Sequence, residues 1–188
     1  MFKGYKMNEL ELKYRMYGLV PYNISEIQKG IQFGHAVVEY SNKYQNNKIY
    51  EKWAKNDKTF IILNGGTTNN IKESEWYGTL NQHRDTLLIH PSIKFAEFRE
   101  PDLGNQLTAV VFLVDERVFD KELYPDFVDY AYEKYGSTSK DKVKPGPRET
   151  FIERMKQAYP ADFNEWVKFI GGAKNLFLRE FLSQFKLA

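Results

Sequence analysis

Cysteine is absent from the 188 residues. That excludes disulfides, thiolate nucleophiles and cysteine-held zinc. Histidine is scarce as well, with His35, His83 and His90 scattered along the chain. None falls in an HExxH or Cys/His spacing, so the sequence implies no metal and no cofactor. An excess of one charge is also missing: 27 basic residues stand against 25 acidic, a net +2. This balance does not advertise a wide phosphate-binding face, although a local patch is compatible with it. No apolar run approaches the ~20 residues that span a bilayer. The stretch Met1-Phe2-Lys3-Gly4-Tyr5-Lys6 lacks the apolar core of a signal peptide. The expectation is a cytoplasmic protein with no membrane partner. Aromatic residues, in contrast, make up 16% of the chain. That richness suits a packed small protein or an interface and argues against disorder.

The stretch Asn23 to Tyr40 organises the rest. Ser25 followed by Gln28 is a capping box at a helix start. Ile27, Ile31, Gly34 and Val38 recur at helical spacing, so that stripe is expected to face a core. Gly30 and Gly34 each cost on the order of 1 kcal/mol against Ala and call for something packed close to them. The helix follows a strand-like run, Leu12 to Val20, that ends at Pro21. Lys48 to Asn56 reads as a short amphipathic helix. Thr59 to Leu63 is a continuous apolar run, expected as a buried central strand. Glu73 to Leu88 reads as a helix with Trp76, Leu80 and Leu87 on one face, ended by Pro91. Ile93 to Phe98 alternates as a third strand, and Leu107 to Val114 reads as a fourth, buried on both faces. The fold class is therefore α/β: a four-stranded mixed sheet with helices packed on it. The short turn between the last two strands favours antiparallel pairing. From Asp115 the pattern becomes helical, with segments at Phe127 to Tyr135, Thr150 to Tyr159, Asp162 to Ile170 and Asn175 to Phe185. A loop over Gly136 to Pro147 interrupts them. Residues 1–116 are expected as the α/β domain and 117–188 as a helical C-terminal extension packed on it.

Candidate chemistry is sparse. Asn64-Gly65-Gly66-Thr67-Thr68 follows the second strand, and its amides and hydroxyls suit an anion. It is no P-loop, because no Lys-Ser/Thr follows at the required spacing. Taken alone, a connector whose glycines permit the turn is the stronger reading. His35 reads as a packed residue rather than a catalyst. Asp102 suits a general base, but an acidic turn residue after proline explains it as well. Lys140, Lys142, Lys144 and Arg148 read as a solvated basic loop. Trp166 and the stripe Leu176, Phe177, Leu178, Phe181, Leu182, Phe185 read as packing.

The element order and the helix motif resemble the type II peptidyl-tRNA hydrolases, the archaeal and eukaryotic family unrelated to the bacterial enzyme. That family's first helix carries Gly-Lys-(Ile/Leu)-Ala-Ala-Gln-x-x-His-Ala, and here Gln32, His35 and Ala36 match it. Tyr50 to Trp53 resembles its Trp-containing second helix. Asp102-Leu103-Gly104 resembles its Asp-Ala-Gly turn, and Thr108-Ala109-Val110-Val111 its final strand. The likeness covers about Leu12 to Val114. The chain, including Phe-Leu-Val-Asp-Glu-Arg and Phe-Leu-Arg-Glu-Phe-Leu, also resembles uncharacterised proteins carried by tailed bacteriophages. The family resemblance implies metal-free hydrolysis of a peptide–tRNA ester by a Lys, an Asp and a Thr. Only the Asp is in place, as Asp102. The Lys position is Gln28, with Lys29 one place later and about 100° round the helix. The Thr position is Gln106. Glutamine supplies neither the lysine charge nor the small hydroxyl.

The resemblance thus implies a retained pocket with an altered hydrolytic set. Its walls would be Asn23, Ser25, Gln28, Lys29 and Gln32 from the first helix, the loop Asn64, Gly65, Gly66, Thr67 and Thr68, then Arg99, Asp102, Asn105, Gln106 and Thr108. These groups suit hydrogen bonding to a phosphate, ribose or base. The reading is a protein that binds a nucleotide or other phosphate-containing ligand, leaning away from an enzyme. The phage likeness adds a setting in the host cytoplasm, where such a protein would sequester a nucleotide signal of host defence. An active hydrolase acting on peptidyl-tRNA, with Asp102 and Lys29 as catalytic residues, is the alternative. A host-protein binder acting through the C-terminal extension is the second. A homodimer and tRNA stay open as partners.

Overall fold

A computed structural model describes residues 8–68, 78–135 and 157–188. Residues 1–7, Trp76, the expected Gly136 to Pro147 loop with Lys140, Lys142, Lys144 and Arg148, and most of the expected Thr150 to Tyr159 helix lie outside them. Within the described residues the helix expected from Glu73 begins at Leu80, where the Thr79 side chain caps it.

The elements run β1 (Tyr14–Val20), α1 (Glu26–Tyr44), α2 (Lys48–Lys52), β2 (Thr59–Asn64), α3 (Leu80–Leu88), β3 (Phe95–Glu100), β4 (Gln106–Asp115), α4 (Glu116–Phe119), α5 (Phe127–Tyr135), α6 (Pro160–Phe169) and α7 (Ala173–Leu182). The chain forms two compact units, one of Met7–Glu116 with Phe181–Ala188 and one containing Arg117–Glu180.

In the first unit the four strands form a single mixed sheet in the order β2-β1-β4-β3. β1 pairs parallel with β2, while β1–β4 and β3–β4 are antiparallel. The α/β class and the antiparallel pairing of the last two strands are as expected. β1 and β4 occupy the middle and are buried almost throughout. Gly18 of β1 lets α1 lie close, because a side chain there would overlap the Phe33 ring.

Two expectations need correction. The Thr59 to Leu63 run is an edge strand, not a central one. Phe60 is 51% exposed, although its ring meets Phe33 at 5.2 Å and Trp53 at 5.5 Å. The free edge of β2 is partly covered from further along the chain. Leu63 forms an antiparallel bridge with Leu187, Asn64 N donates to Lys186 O at 2.9 Å, and Ala188 N donates to Ile62 O at 3.1 Å. An apolar run at an edge is tolerable when its backbone groups find such partners.

The second correction concerns α1. The capping box forms as read, with Ser25 Oγ accepting from Gln28 N at 3.3 Å and Gln28 Oε1 accepting from Ser25 N at 3.2 Å. The stripe of Ile27, Ile31, Gly34 and Val38, however, faces solvent. The buried face is Lys29, Gln32, Phe33, Ala36 and Tyr40. Phe33 and Tyr40 bury more apolar area than isoleucines, and Ala36 lets the helix approach the sheet. They join Leu12, Tyr14, Met16, Val20, Trp53 and Val111 in the core. The polar residues Lys29 and Gln32 on that face disguised it.

Smaller differences follow. The expected Lys48 to Asn56 helix is α2 plus a π-helical turn over Trp53–Asp57. Asp57 ties that turn down, accepting from Tyr14 N at 2.9 Å and Lys52 Nζ at 2.7 Å. β3 begins at Phe95 rather than Ile93. Leu80 and Leu87 of α3 are fully buried, as expected.

The second unit packs Tyr124, Phe127, Tyr130, Phe163, Trp166 and Ile170 into its own core. Arg179, 6% exposed, clasps it: Nε donates to Arg117 O at 2.9 Å and Nη1 to Asp126 Oδ1 at 2.9 Å. Among the described residues no helix is long and apolar enough to cross a membrane.

Candidate functional site

The residues singled out from the sequence separate into three groups. The first is the α1 start. Ser25 and Gln28 engage each other in the cap, so the Gln28 amide oxygen is already committed. Asn23 lies exposed in the turn before it. Lys29 is only 8% exposed, and its ammonium pairs with Glu26 at 2.8 Å.

The second group is a buried polar chain beneath α1. Thr108 Oγ1 donates to Gln32 Oε1 at 2.6 Å, and Gln32 Nε2 donates to Glu100 Oε2 at 2.6 Å. Thr108 is fully buried and Gln32 is 7% exposed. The Thr108 hydroxyl is thus a structural donor, shut off from any substrate. Beyond it, Arg99 Nε donates to Glu97 Oε1 at 3.0 Å. Asp102 is exposed in the 3-10 turn Pro101–Leu103. Asn105 holds φ 62° in the hairpin, and Gln106 pairs with Glu100 at the start of β4. No hydrogen bond or ion pair between Lys29 and Asp102 is present among the described residues. His35 stacks on Phe98 at 4.5 Å with its edge exposed.

The third group is the loop after β2. Gly65 N donates to Val20 O at 2.7 Å, and Gly66 N donates to Asn64 Oδ1 at 3.0 Å. Thr67 O accepts from Leu80 N at 3.1 Å, and Thr68 Oγ1 donates to the Leu107 carbonyl. The Gly65 and Gly66 amides and the Thr68 hydroxyl are thus committed within the protein rather than turned to an anion. The loop instead frames a cleft. Gly66 holds φ 90°, and any side chain there would overlap the Gly78 carbonyl. Its own carbonyl accepts from Tyr22 N at 2.9 Å, drawing the end of β1 beside the end of β2.

That cleft is an open depression of ≈ 400 Å³ lined by Tyr22, Asn64, Gly66, Gly78, His83, Gln184, Phe185 and Lys186. It sits at the C-terminal ends of the parallel pair β1–β2, where ligands gather in α/β sheets. Its volume falls within the range of small-molecule sites, about 300–1,000 Å³. His83 meets Phe185 at 4.7 Å and Phe181 at 6.1 Å, both edge-on. Burial pushes the His83 pKa below its ordinary value, so the ring is neutral at pH 7, with one donor and one acceptor nitrogen. Lys186 is held by its backbone bond to Asn64, with its side chain exposed. Among the described residues the lining therefore offers aromatic rings, two primary amides and one ammonium, and no carboxylate. Only Asn64 and Gly66 of this lining were singled out from the sequence. Tyr22 carried a weak signal, as the residue after the proline that ends β1. Phe185 was read only as packing, and Gln184 and Lys186 carried no signal, because nothing local ties this segment to β2.

Among the described residues, no group of three or more His, Asp or Glu side chains is placed to hold a metal ion. The chain matches no protein-family model and no curated protein.

Proposed function

We propose that the protein binds a nucleotide or another phosphate-containing small molecule in the cleft at the ends of β1 and β2, on a scaffold of the type II peptidyl-tRNA hydrolase kind whose hydrolytic set is altered. The observation that carries this reading is the cleft lining itself: Lys186, Asn64 and Gln184 among the rings of Tyr22, His83 and Phe185, with no carboxylate among the described residues. The Lys186 ammonium in that lining suits an anion. Primary amides match the donor and acceptor edges of a base or ribose. Aromatic faces stack bases for about 1–3 kcal/mol each. The likeness to phage proteins makes sequestration of a host nucleotide signal the biological setting of this reading.

The hydrolase alternative draws no comparable support. Gln28 occupies the lysine position, Gln106 occupies the threonine position, and Lys29 is engaged with Glu26. The host-protein alternative would rest on the aromatic residues of Arg117–Glu180, yet Phe127, Phe163 and Trp166 are buried in their own unit.

Titration calorimetry with mono-, di- and cyclic nucleotides tests the proposal. At least one should bind the wild type and bind Lys186→Ala at least tenfold more weakly. No binding across the panel overturns it. Release of tRNA from peptidyl-tRNA, lost in Asp102→Asn, would establish the hydrolase in its place.

A further inference from the structure

We propose that His83 is the proton-linked contact of the cleft, an inference that rests on the cleft being the ligand site. The oxyanion of a phosphoryl group seated beside Lys186 draws a proton from solvent onto the His83 ring. The resulting imidazolium then holds the ligand. The fixed groups of the lining already favour such a ligand. Gly66 N can only donate, so its partner at 3.0 Å is the Asn64 side-chain oxygen, and Asn64 Nδ2 remains as the end that can serve a ligand. Gln184 Nε2 donates to Phe181 O at 2.9 Å, which leaves Oε1 as its ligand-facing atom. Asn64 Nδ2 and Lys186 Nζ therefore supply protons from the end of β2 and from the segment after α7, and Gln184 Oε1 supplies one acceptor.

His83 is the group in this lining whose charge can change near neutral pH. It sits half-buried in the first turn of α3, with the Phe181 and Phe185 rings edge-on to it at 6.1 Å and 4.7 Å. Among the described residues no hydrogen bond reaches either ring nitrogen. The segment after α7 brings Lys186 to the cleft, the turn after β1 brings Tyr22, and the loop after β2 brings no ionisable group. On α3 itself Arg84 is paired with Asp85 at 3.0 Å and with Glu97 of β3 at 3.7 Å. Nothing in the described lining thus stabilises an imidazolium, and burial holds the empty-cleft pKa of His83 below its ordinary value. An oxyanion within about 4–6 Å reverses this balance, and protonation gives the ring a second N–H to donate. By linkage, affinity rises as pH falls through the window between the occupied-cleft and empty-cleft pKa of His83, and levels off below it.

Histidine-ring NMR on the full chain, titrated with pH in sodium sulfate and in sodium chloride of equal ionic strength, tests this. Sulfate stays a dianion across the range, whereas phosphate monoesters themselves titrate at about pH 6. The His83 pKa should stand higher in sulfate than in chloride, with His35 and His90 unmoved. Sulfate should bind about tenfold more tightly at about pH 5 than at about pH 8. His83→Gln, which carries a neutral donor at every pH, should lose that dependence. The nucleotide that binds best in calorimetry should raise the His83 pKa in the same way. An anion that binds with His83 unmoved, a rise shared equally by all three histidines, or a pH dependence that persists in His83→Gln overturns the proposal and leaves the cleft reading standing. Failure of sulfate and of every nucleotide to bind overturns both. The wild-type titration decides the matter even where the variant does not fold.

Discussion

Thr108→Val separates a structural hydroxyl from a ligand-binding one. Valine keeps the shape of threonine and leaves no cavity. It removes the donor to Gln32 Oε1 at 2.6 Å, in a position with no solvent access. The Gln32 amide cannot turn over to compensate, because its Nε2 is held by Glu100 Oε2 at 2.6 Å, a charge-assisted bond. A buried acceptor thus loses its partner, at about 1–3 kcal/mol. Burying a methyl in place of a hydroxyl returns part of this, leaving a net loss of about 1–2 kcal/mol. For a unit of this size that lowers the melting temperature by about 3–8 °C. Amide hydrogen exchange in β1 and β4 reads the sheet unit without interference from the other unit. Gln32→Leu removes the same acceptor, so the double variant should cost less than the sum of the single ones, with a coupling of about 1 kcal/mol. Strict additivity, or a Thr108→Val variant within about 0.3 kcal/mol of wild type, refutes the network as described. Ligand affinity should not change in Thr108→Val, since this hydroxyl lines no cleft.

Three further outcomes are expected. Lys186→Ala should weaken nucleotide binding at least tenfold by calorimetry and leave the melting temperature unchanged, because only its side chain is altered and its backbone bond to Asn64 stays. Gly66→Ala should destabilise the sheet unit by about 2 kcal/mol or more in urea titration, since φ 90° is strained for alanine and its Cβ would overlap the Gly78 carbonyl. His83 has its folded pKa lowered by burial from 6.5, so the unfolded chain binds the proton more readily. Its stability contribution is fully present above pH 6.5 and declines as pH falls through 6.5 toward the lower folded value. Thermal melts at acidic and neutral pH should show this loss in the wild type and less of it in His83→Phe.

The parts of the fold that were legible in the sequence rest on short-range chemistry. Ser25 and Gln28 announce the start of α1 because both capping bonds close within one turn. The β3–β4 hairpin follows from a turn too short for a crossover. The parts that were not legible depend on partners far along the chain. The apolar run Thr59 to Leu63 resembles a central strand because its composition cannot tell a neighbouring strand from the covering segment Lys186 to Ala188. The α1 stripe misled because periodicity counts apolar positions equally, whereas packing favours the face carrying two large rings. On that face Lys29 and Gln32 satisfy their polar ends through Glu26, Glu100 and Thr108. The cleft was hidden for the same reason as the edge: half of its lining comes from α3 and the segment after α7, which only the folded sheet brings beside Asn64.

The segment Phe181–Ala188 ties the stability of the sheet to the proposed site. Its backbone covers the β2 edge through Leu187, Lys186 and Ala188, and its side chains Gln184, Phe185 and Lys186 wall the cleft. Ligand contacts with those side chains would hold the same backbone against β2. Binding should therefore slow hydrogen exchange of the Asn64 and Ala188 amides, which donate across this edge at 2.9 Å and 3.1 Å. Replacing Ala188 with proline leaves every cleft side chain in place but removes the amide that donates to Ile62 O at 3.1 Å. If the cleft depends on that pairing, Ala188→Pro should weaken the ligand as much as Lys186→Ala does. It should also loosen the cover of an apolar edge and promote association at high concentration. Full ligand affinity in Ala188→Pro would show that the cleft stands without this pairing, and that the two roles of this segment are independent.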